Sequence, residues 1–124
     1  MILLDYRDKR PIYEQIADKL ERLIIGNGLE TNDKMPSVRS LAMELSVNPN
    51  TIQRAYTELE QCGYIYTVSG RGSFVAPESE WRDGKVGELT KELGELLTKA
   101  KEAGVTKEQA LRVVNRTFEE ADYD

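Results

Sequence analysis

Ser37-Val-Arg-Ser-Leu-Ala-Met-Glu-Leu-Ser-Val-Asn-Pro-Asn-Thr-Ile-Gln-Arg-Ala-Tyr-Thr-Glu-Leu-Glu-Gln-Cys62 decides how the rest of the chain is read. Ser37 stands just before the apolar-periodic Val38, Leu41, Ala42 and Leu45. Asn48 stands before Pro49 at a first helical position. Both are helix-start signals. They predict a helix over Ser37–Leu45, a break at Ser46–Asn48 and a second helix over Pro49–Cys62. Projected at about 100° per residue, Ile52, Ala55, Tyr56, Leu59 and Cys62 share one side, while Asn50, Gln53, Arg54, Thr57 and Gln61 share the other. That outer face is amide-rich and holds one arginine and no acid. Two short amphipathic helices around a tight break, the second with a base-reading face, make a helix-turn-helix.

Upstream, Pro11 opens a helix whose Ile12, Ile16, Leu20, Leu23 and Ile24 form an apolar stripe, and Gly26 and Gly28 close it. This is a core helix behind the helix-turn-helix. Ile2-Leu3-Leu4 reads as an edge strand or a strap, and Glu30–Met35 as a polar connector whose Met35 is pushed into an extended conformation by Pro36. Downstream, Gly63 stops the second helix. Tyr64–Val68, the turn Ser69-Gly70-Arg71-Gly72 and Ser73–Ala76 then form a β-hairpin, which in this place is a wing. Its tip sets an arginine between two glycines, so backbone can approach a groove closely and a cation can enter it.

After Ala76, residues 77–84 have the composition of a linker and contain Trp81, read as an anchor for it. Val86, Leu89, Leu93, Leu96 and Ala100 then follow an a/d heptad spacing. Gly104 stops that helix, and Thr106-Lys-Glu-Gln109 is a capping box for a last one with Ala110, Val113, Val114, Phe118 and Ala121 on its apolar side. Two such helices cannot enclose a core alone, whereas two copies packed together can. The dimerisation residues are therefore Val86, Leu89, Leu93, Leu96, Ala100, Val114 and Phe118. The expected architecture is mainly α with a small β-hairpin wing: a winged helix-turn-helix over 1–76, a linker over 77–84, and a short C-terminal two-helix dimerisation segment over 85–124.

Composition narrows the chemistry. The chain has 124 residues, no histidine and a net charge of −5. Without histidine there is no Ser-His-Asp or Cys-His catalysis and no histidine-liganded metal. No catalytic constellation, metal site or cofactor is expected, and the protein is not read as an enzyme. Lone Cys62 excludes an internal disulfide and fits a reducing compartment, and its inward position makes it a small core residue. The N-terminus lacks the basic flank and length of a secretory signal, and no apolar run approaches the ~18 residues of a membrane span. The expected location is cytoplasmic, away from any membrane. The acidic total is unevenly placed: residues 1–76 carry 9 basic and 10 acidic side chains, and residues 77–124 carry 8 and 12. Between 34 and 76 the balance is +1, from Lys34, Arg39, Arg54 and Arg71 against Glu44, Glu58 and Glu60. DNA binding depends on that local field, which is weak enough to predict low non-specific affinity.

The candidate DNA-binding residues are Ser37, Arg39, Asn48, Asn50, Thr51, Gln53, Arg54, Thr57, Gly70 and Arg71. Gln53 suits the N6/N7 edge of adenine, and Arg54 suits guanine or phosphate. Asn50 and Thr51 suit phosphates beside the helix N-terminus. Asn48 is read as a cap before a base reader, and Ser37 shares that ambiguity.

Met35-Pro-Ser-Val-Arg-Ser-Leu-Ala42, Val47-Asn-Pro-Asn-Thr-Ile-Gln-Arg-Ala-Tyr56, Glu58-Leu-Glu60 and Gly70-Arg-Gly-Ser-Phe-Val75 resemble the GntR family of bacterial transcription regulators. With Pro11-Ile-Tyr-Glu-Gln-Ile16, they are most similar to its YtrA-type subgroup. The resemblance covers roughly residues 10–76. It implies a winged helix-turn-helix repressor that dimerises through a short C-terminal helical pair. It matches the family's phosphate-contacting arginine to Arg39, the start of the recognition helix to Asn48–Arg54 and the wing-tip glycine to Gly70. Many members have arginines where this chain has Pro49 and Gln53, so their operator sequence does not carry over. Other subgroups append a large effector-binding domain or an aminotransferase-like domain with pyridoxal phosphate. The residues after Ala76 are expected to hold neither. Genes of the YtrA type often accompany transporter operons, which makes control of one an expectation by analogy.

The resulting expectation is a homodimer on a double-stranded DNA operator with inverted half-sites about one helical turn, ~34 Å, apart. Derepression requires something that changes the spacing of the two reading heads. An unidentified small-molecule effector is therefore expected, at the linker with Trp81 or at the dimer helices. The alternative is a winged-helix protein–protein interaction module, which the acidic total suggests and the Arg39–Arg54–Arg71 trio opposes.

Overall fold

A computed structural model describes residues 2–121. Met1 and residues 122–124, the outer ends of the segments expected over 1–76 and 85–124, lie outside the described residues. The elements run α1 (Ile12–Ile25), α2 (Val38–Leu45), α3 (Pro49–Gln61), β1 (Ile65–Val68), β2 (Gly72–Val75), a 3-10 turn (Glu78–Glu80), α4 (Arg82–Glu102) and α5 (Lys107–Ala121). They fall into two compact units, Met1–Asp83 and Gly84–Asp124.

In the first unit α3 packs against α1 and α2. Ile16, Leu20, Leu41, Ile52 and Ala55 are buried in one cluster with Met35, Tyr56 and Leu59. Full burial of each large aliphatic side chain here contributes roughly 1.5–3 kcal/mol. Tyr56 adds a polar tie, its Oη–H donating to the Pro36 carbonyl at 2.7 Å. Pro11 sits one place earlier than expected, as the N-cap of α1 rather than its first residue. Gln15 is a buried polar side chain. Its Oε1 accepts from the Asp5 amide at 3.1 Å and its Nε2 donates to the Arg10 carbonyl at 3.3 Å. These bonds, with Ile2 in the core, make the N-terminus a strap rather than a strand.

The wing pairs antiparallel in the register Ile65↔Val75, Tyr66↔Phe74, Thr67↔Ser73 and Val68↔Gly72. Tyr66 and Phe74, opposite one another, stack at 5.6 Å. The residues read as a polar connector are more ordered than that. Asn32 donates to the Val75 carbonyl at 2.8 Å, Val75 to the Asp33 carbonyl at 2.9 Å and Met35 to the Ser73 carbonyl at 2.8 Å. Lys34 forms a bridge with Phe74. Met35 must be extended before Pro36 and is buried, which lays this backbone along β2.

Gly63 ends α3 in the left-handed region, with φ 85°. The Tyr64 amide reaches back to the Leu59 carbonyl at 2.9 Å and the Gly63 amide to the Glu60 carbonyl at 3.1 Å, a Schellman closure. A Cβ on Gly63 would lie 2.6 Å from the Glu80 carbonyl oxygen, because the 3-10 turn folds back over this corner. Trp81 follows and stacks on Tyr64 at 5.3 Å. The stretch read as a linker is thus a docked turn followed by the first residues of α4. Cys62, expected inward, is exposed. It is the C-cap, and the buried row of α3 ends one turn earlier at Leu59.

In the second unit Thr106 and Gln109 form the capping box, with the Thr106 amide donating to Gln109 Oε1 at 2.9 Å and the Gln109 amide to Thr106 Oγ1 at 3.1 Å. Among its described residues none is buried, and only Lys85, Ala100 and Ala110 are half-buried.

Tyr56→Phe should lower the unfolding free energy by about 1 kcal/mol in a urea titration at neutral pH, because the Pro36 carbonyl loses its donor. Burial pushes the Tyr56 hydroxyl up to about 12 from its ordinary 10.0. The folded chain keeps a proton that the unfolded chain releases, so wild-type stability is intact below pH 10 and falls as pH rises toward about 12. The phenylalanine variant lacks this part of the alkaline loss.

Candidate nucleic-acid interface

The outward row of α3 exists because the inward row is spent on the core. Ile52, Ala55, Tyr56 and Leu59 are buried, while Asn50, Gln53, Arg54 and Thr57 are exposed. Thr51 lies between them, half-buried. The turn that aims α3 is built from local geometry. Ser46 closes α2 in a left-handed conformation (φ 56°), and the Val47 amide donates to the Ala42 carbonyl at 3.0 Å. Such a conformation costs a non-glycine residue roughly 1 kcal/mol.

Both cap residues do the work expected of caps. Ser37 Oγ accepts from the Ser40 amide at 3.0 Å and Asn48 Oδ1 from the Asn50 amide at 2.8 Å. The Ser37 hydroxyl hydrogen and the Asn48 amide nitrogen keep their donors, so each cap can also meet a phosphate. Gln53 Nε2 donates to Thr57 Oγ1 at 3.4 Å, one turn along the same face. Arg39 is exposed on α2.

Arg54 is held from outside its own helix. Its guanidinium lies 3.8 Å over the centre of the Tyr13 ring on α1, and its Nη2 donates to Tyr13 Oη at 3.2 Å. Periodicity within α3 carries no sign of this contact, which spans 41 positions of sequence. In the sequence Tyr13 stands out only as part of Pro11-Ile-Tyr-Glu-Gln-Ile16.

At the wing, the Arg71 amide donates to the Val68 carbonyl at 2.9 Å and Gly70 has φ 76°. A Cβ on Gly70 would meet nothing within 4 Å, so the backbone conformation alone calls for glycine. Arg71 is exposed at the tip. Lys34 belongs to the same edge, since its Cε lies 3.3 Å from where a Gly72 Cβ would stand. It is a cation of the wing edge although it lies in the connector by sequence, and its bridge to Phe74 brings it there.

Trp81 is buried against Tyr64 as an anchor, and its Nε1 has no hydrogen-bond partner among the described residues. A cavity of ≈ 110 Å³ beside it is lined in part by Ile24, Leu29, Thr31, Val75 and Arg82. No group of three or more metal-ligating side chains occurs among the described residues, and no described helix is long and apolar enough to cross a membrane.

Residues 12–75 match the bacterial regulatory proteins of the gntR family. The chain is 42% identical over 116 residues to the uncharacterized HTH-type transcriptional regulator YhcF of Bacillus subtilis (strain 168), covering 93% of this chain and 95% of that one. It is 39% identical over 111 residues to the HTH-type transcriptional repressor YtrA of the same organism, covering 88% and 85%. Among solved structures, a GntR family transcriptional regulator from Listeria monocytogenes superposes with a TM-score of 0.76 at 34% identity, covering 91% of this chain and 98% of that one. The DNA-binding domain of AraR in complex with operator ORE1 superposes with a TM-score of 0.53 at 28% identity, covering 61% and 93%.

Asn48→Ala should cost about 1 kcal/mol of stability in urea unfolding, the usual loss when an N-cap acceptor is removed. Asn48→Asp keeps the acceptor and should restore most of it.

Proposed function

The chain belongs to the gntR family of bacterial regulatory proteins and to its YtrA-type subgroup, and on that footing we propose that it is a homodimeric repressor of an inverted-repeat operator. It is a DNA-binding transcriptional regulator and not an enzyme. The observation that carries the reading is the outward row of α3, polar throughout and exposed, beside a wing whose tip presents Gly70 and Arg71. In this reading Gln53 and Arg54 meet base edges or phosphate in the major groove, with Thr57 beside them on the same face. Ser37, Arg39, Asn48, Asn50 and Thr51 take the flanking phosphates, and the wing meets the adjacent groove or backbone. The protein acts in the cytoplasm, where the DNA is.

Dimerisation is supported by the uncovered apolar face of the second unit. Val86, Leu89, Leu93 and Leu96 are 53%, 49%, 52% and 62% exposed, and Phe118 is 72% exposed. Val114 is exposed as well, and Ala100 is half-buried. Exposed apolar rows of this kind call for a partner, and a second copy offers the same heptad seam. Repression is supported by the name of the YtrA relative and proceeds by excluding polymerase from the operator. The family resemblance adds a transporter operon as the target. For the unidentified small-molecule effector, the cavity beside Trp81 is the candidate seat, since it touches Arg82, the first residue of α4.

Selection from a random duplex library at near-physiological salt should enrich an inverted repeat, bound far more tightly than scrambled duplex by fluorescence anisotropy. Enrichment of an unpaired half-site, or of nothing, would overturn the proposal. Leu93→Asp should give a monomer in sedimentation equilibrium and weaken operator binding about a hundredfold, as two linked contacts become one. A dimeric Leu93→Asp protein would place the interface elsewhere.

A further inference from the structure

We propose that Tyr13 is a positioning residue for DNA recognition, holding the Arg54 guanidinium with its edge presented to the DNA; this rests on the reading of Arg54 as a DNA contact. Tyr13 lies in the first turn of α1, outside the helix-turn-helix, and is half-buried. Two contacts act on one guanidinium: the face lies 3.8 Å over the ring centre, and Nη2 donates to the hydroxyl at 3.2 Å. The Tyr13 Oη–H in turn donates to Glu14 Oε1 at 3.3 Å. The hydroxyl is thus an acceptor for Arg54 and a donor to Glu14 at once, an arrangement that polarises both bonds in the same sense.

The chemistry suits recognition better than concealment. A carboxylate partner would neutralise the charge and compete with phosphate, whereas a phenol leaves it whole. A guanidinium has five N–H donors in one plane, so a ring on its face blocks none of them and the hydroxyl takes one. The remaining edge can still bond bidentately to guanine O6/N7 or to two phosphate oxygens. A free arginine loses much rotamer entropy when it docks, and a stacked one has already lost it. The base of the stack is stiff, because Arg54 is followed by the buried Ala55 and Tyr13 lies close to the buried Gln15 and Ile16 in helices that pack together.

The experiment is a double-mutant cycle on the full chain with the selected operator, read by fluorescence anisotropy and accompanied by urea unfolding. Arg54→Ala should weaken binding. Tyr13→Leu should weaken it about fivefold, the scale of an exposed cation–π contact, and Tyr13→Phe should stay within about twofold of wild type because the stack survives. In the Arg54→Ala background, Tyr13→Leu should change affinity less than about twofold, since a positioning residue has nothing left to position. An equal loss in both backgrounds would overturn the proposal, by showing that Tyr13 supports the fold or touches DNA itself. Tighter binding by Tyr13→Leu would overturn it too, by showing that the ring sequesters Arg54. If Arg54→Ala binds like wild type, the assignment of Arg54 to DNA fails and the proposal fails with it. A weakened Arg54→Ala beside an unaffected Tyr13→Leu sinks the proposal alone.

Discussion

The burial of one row of α3 against α1 and α2 is the constraint on which the rest depends. A helix of 13 residues is marginal by itself in water, and this one draws its stability from Ile52, Ala55, Tyr56 and Leu59 in the core. Because a helix has only one circumference, committing those residues inward decides which others face out. The outward row is fixed in direction as well as in composition. Tyr56 tightens this further, since its bond to the Pro36 carbonyl ties the recognition helix to the residue that precedes Ser37, the cap of α2.

The parts that could be read from sequence are those whose cause is local. Ser37, Asn48 and the Thr106–Gln109 box announce helix starts because a side chain a few positions away satisfies an amide that the helix leaves open. The inward and outward rows of α3 follow from its period, and the wing from β-branched and aromatic residues around a glycine turn. What the sequence concealed has distant causes. Gln15 looks like an ordinary polar position on α1 until the strap lies over it. Asn32–Met35 looks like a connector until β2 arrives beside it. Cys62 follows the inward period by one step too many, because the core stops at Leu59. The outward residues of α3 are identifiable as a face, but the contact of Arg54 with Tyr13 depends on how two helices meet, which no periodicity encodes.

The charge is unevenly placed along the sequence. The acid excess lies mainly beyond residue 76, where the balance is 8 basic to 12 acidic, while the span 34–76 is +1. If α3 and the wing are the DNA-binding surface, as proposed above, a surface so weakly positive gains little from counterion release on arbitrary DNA, and discrimination falls to its geometry.

The docked turn after the wing has a consequence for how the module can be moved. Tyr64 is roofed by Trp81, and the backbone of Gly63 lies against Glu80. The reading head is therefore closed by residues that come after its last strand. A chimera joined to a foreign oligomerisation element directly behind Val75 would leave Tyr64 bare and the end of α3 without its cover. The natural fusion joint lies after Asp83, where the first compact unit ends. Modularity in this chain is measured by where packing stops, several residues beyond the point where the recognisable motif does.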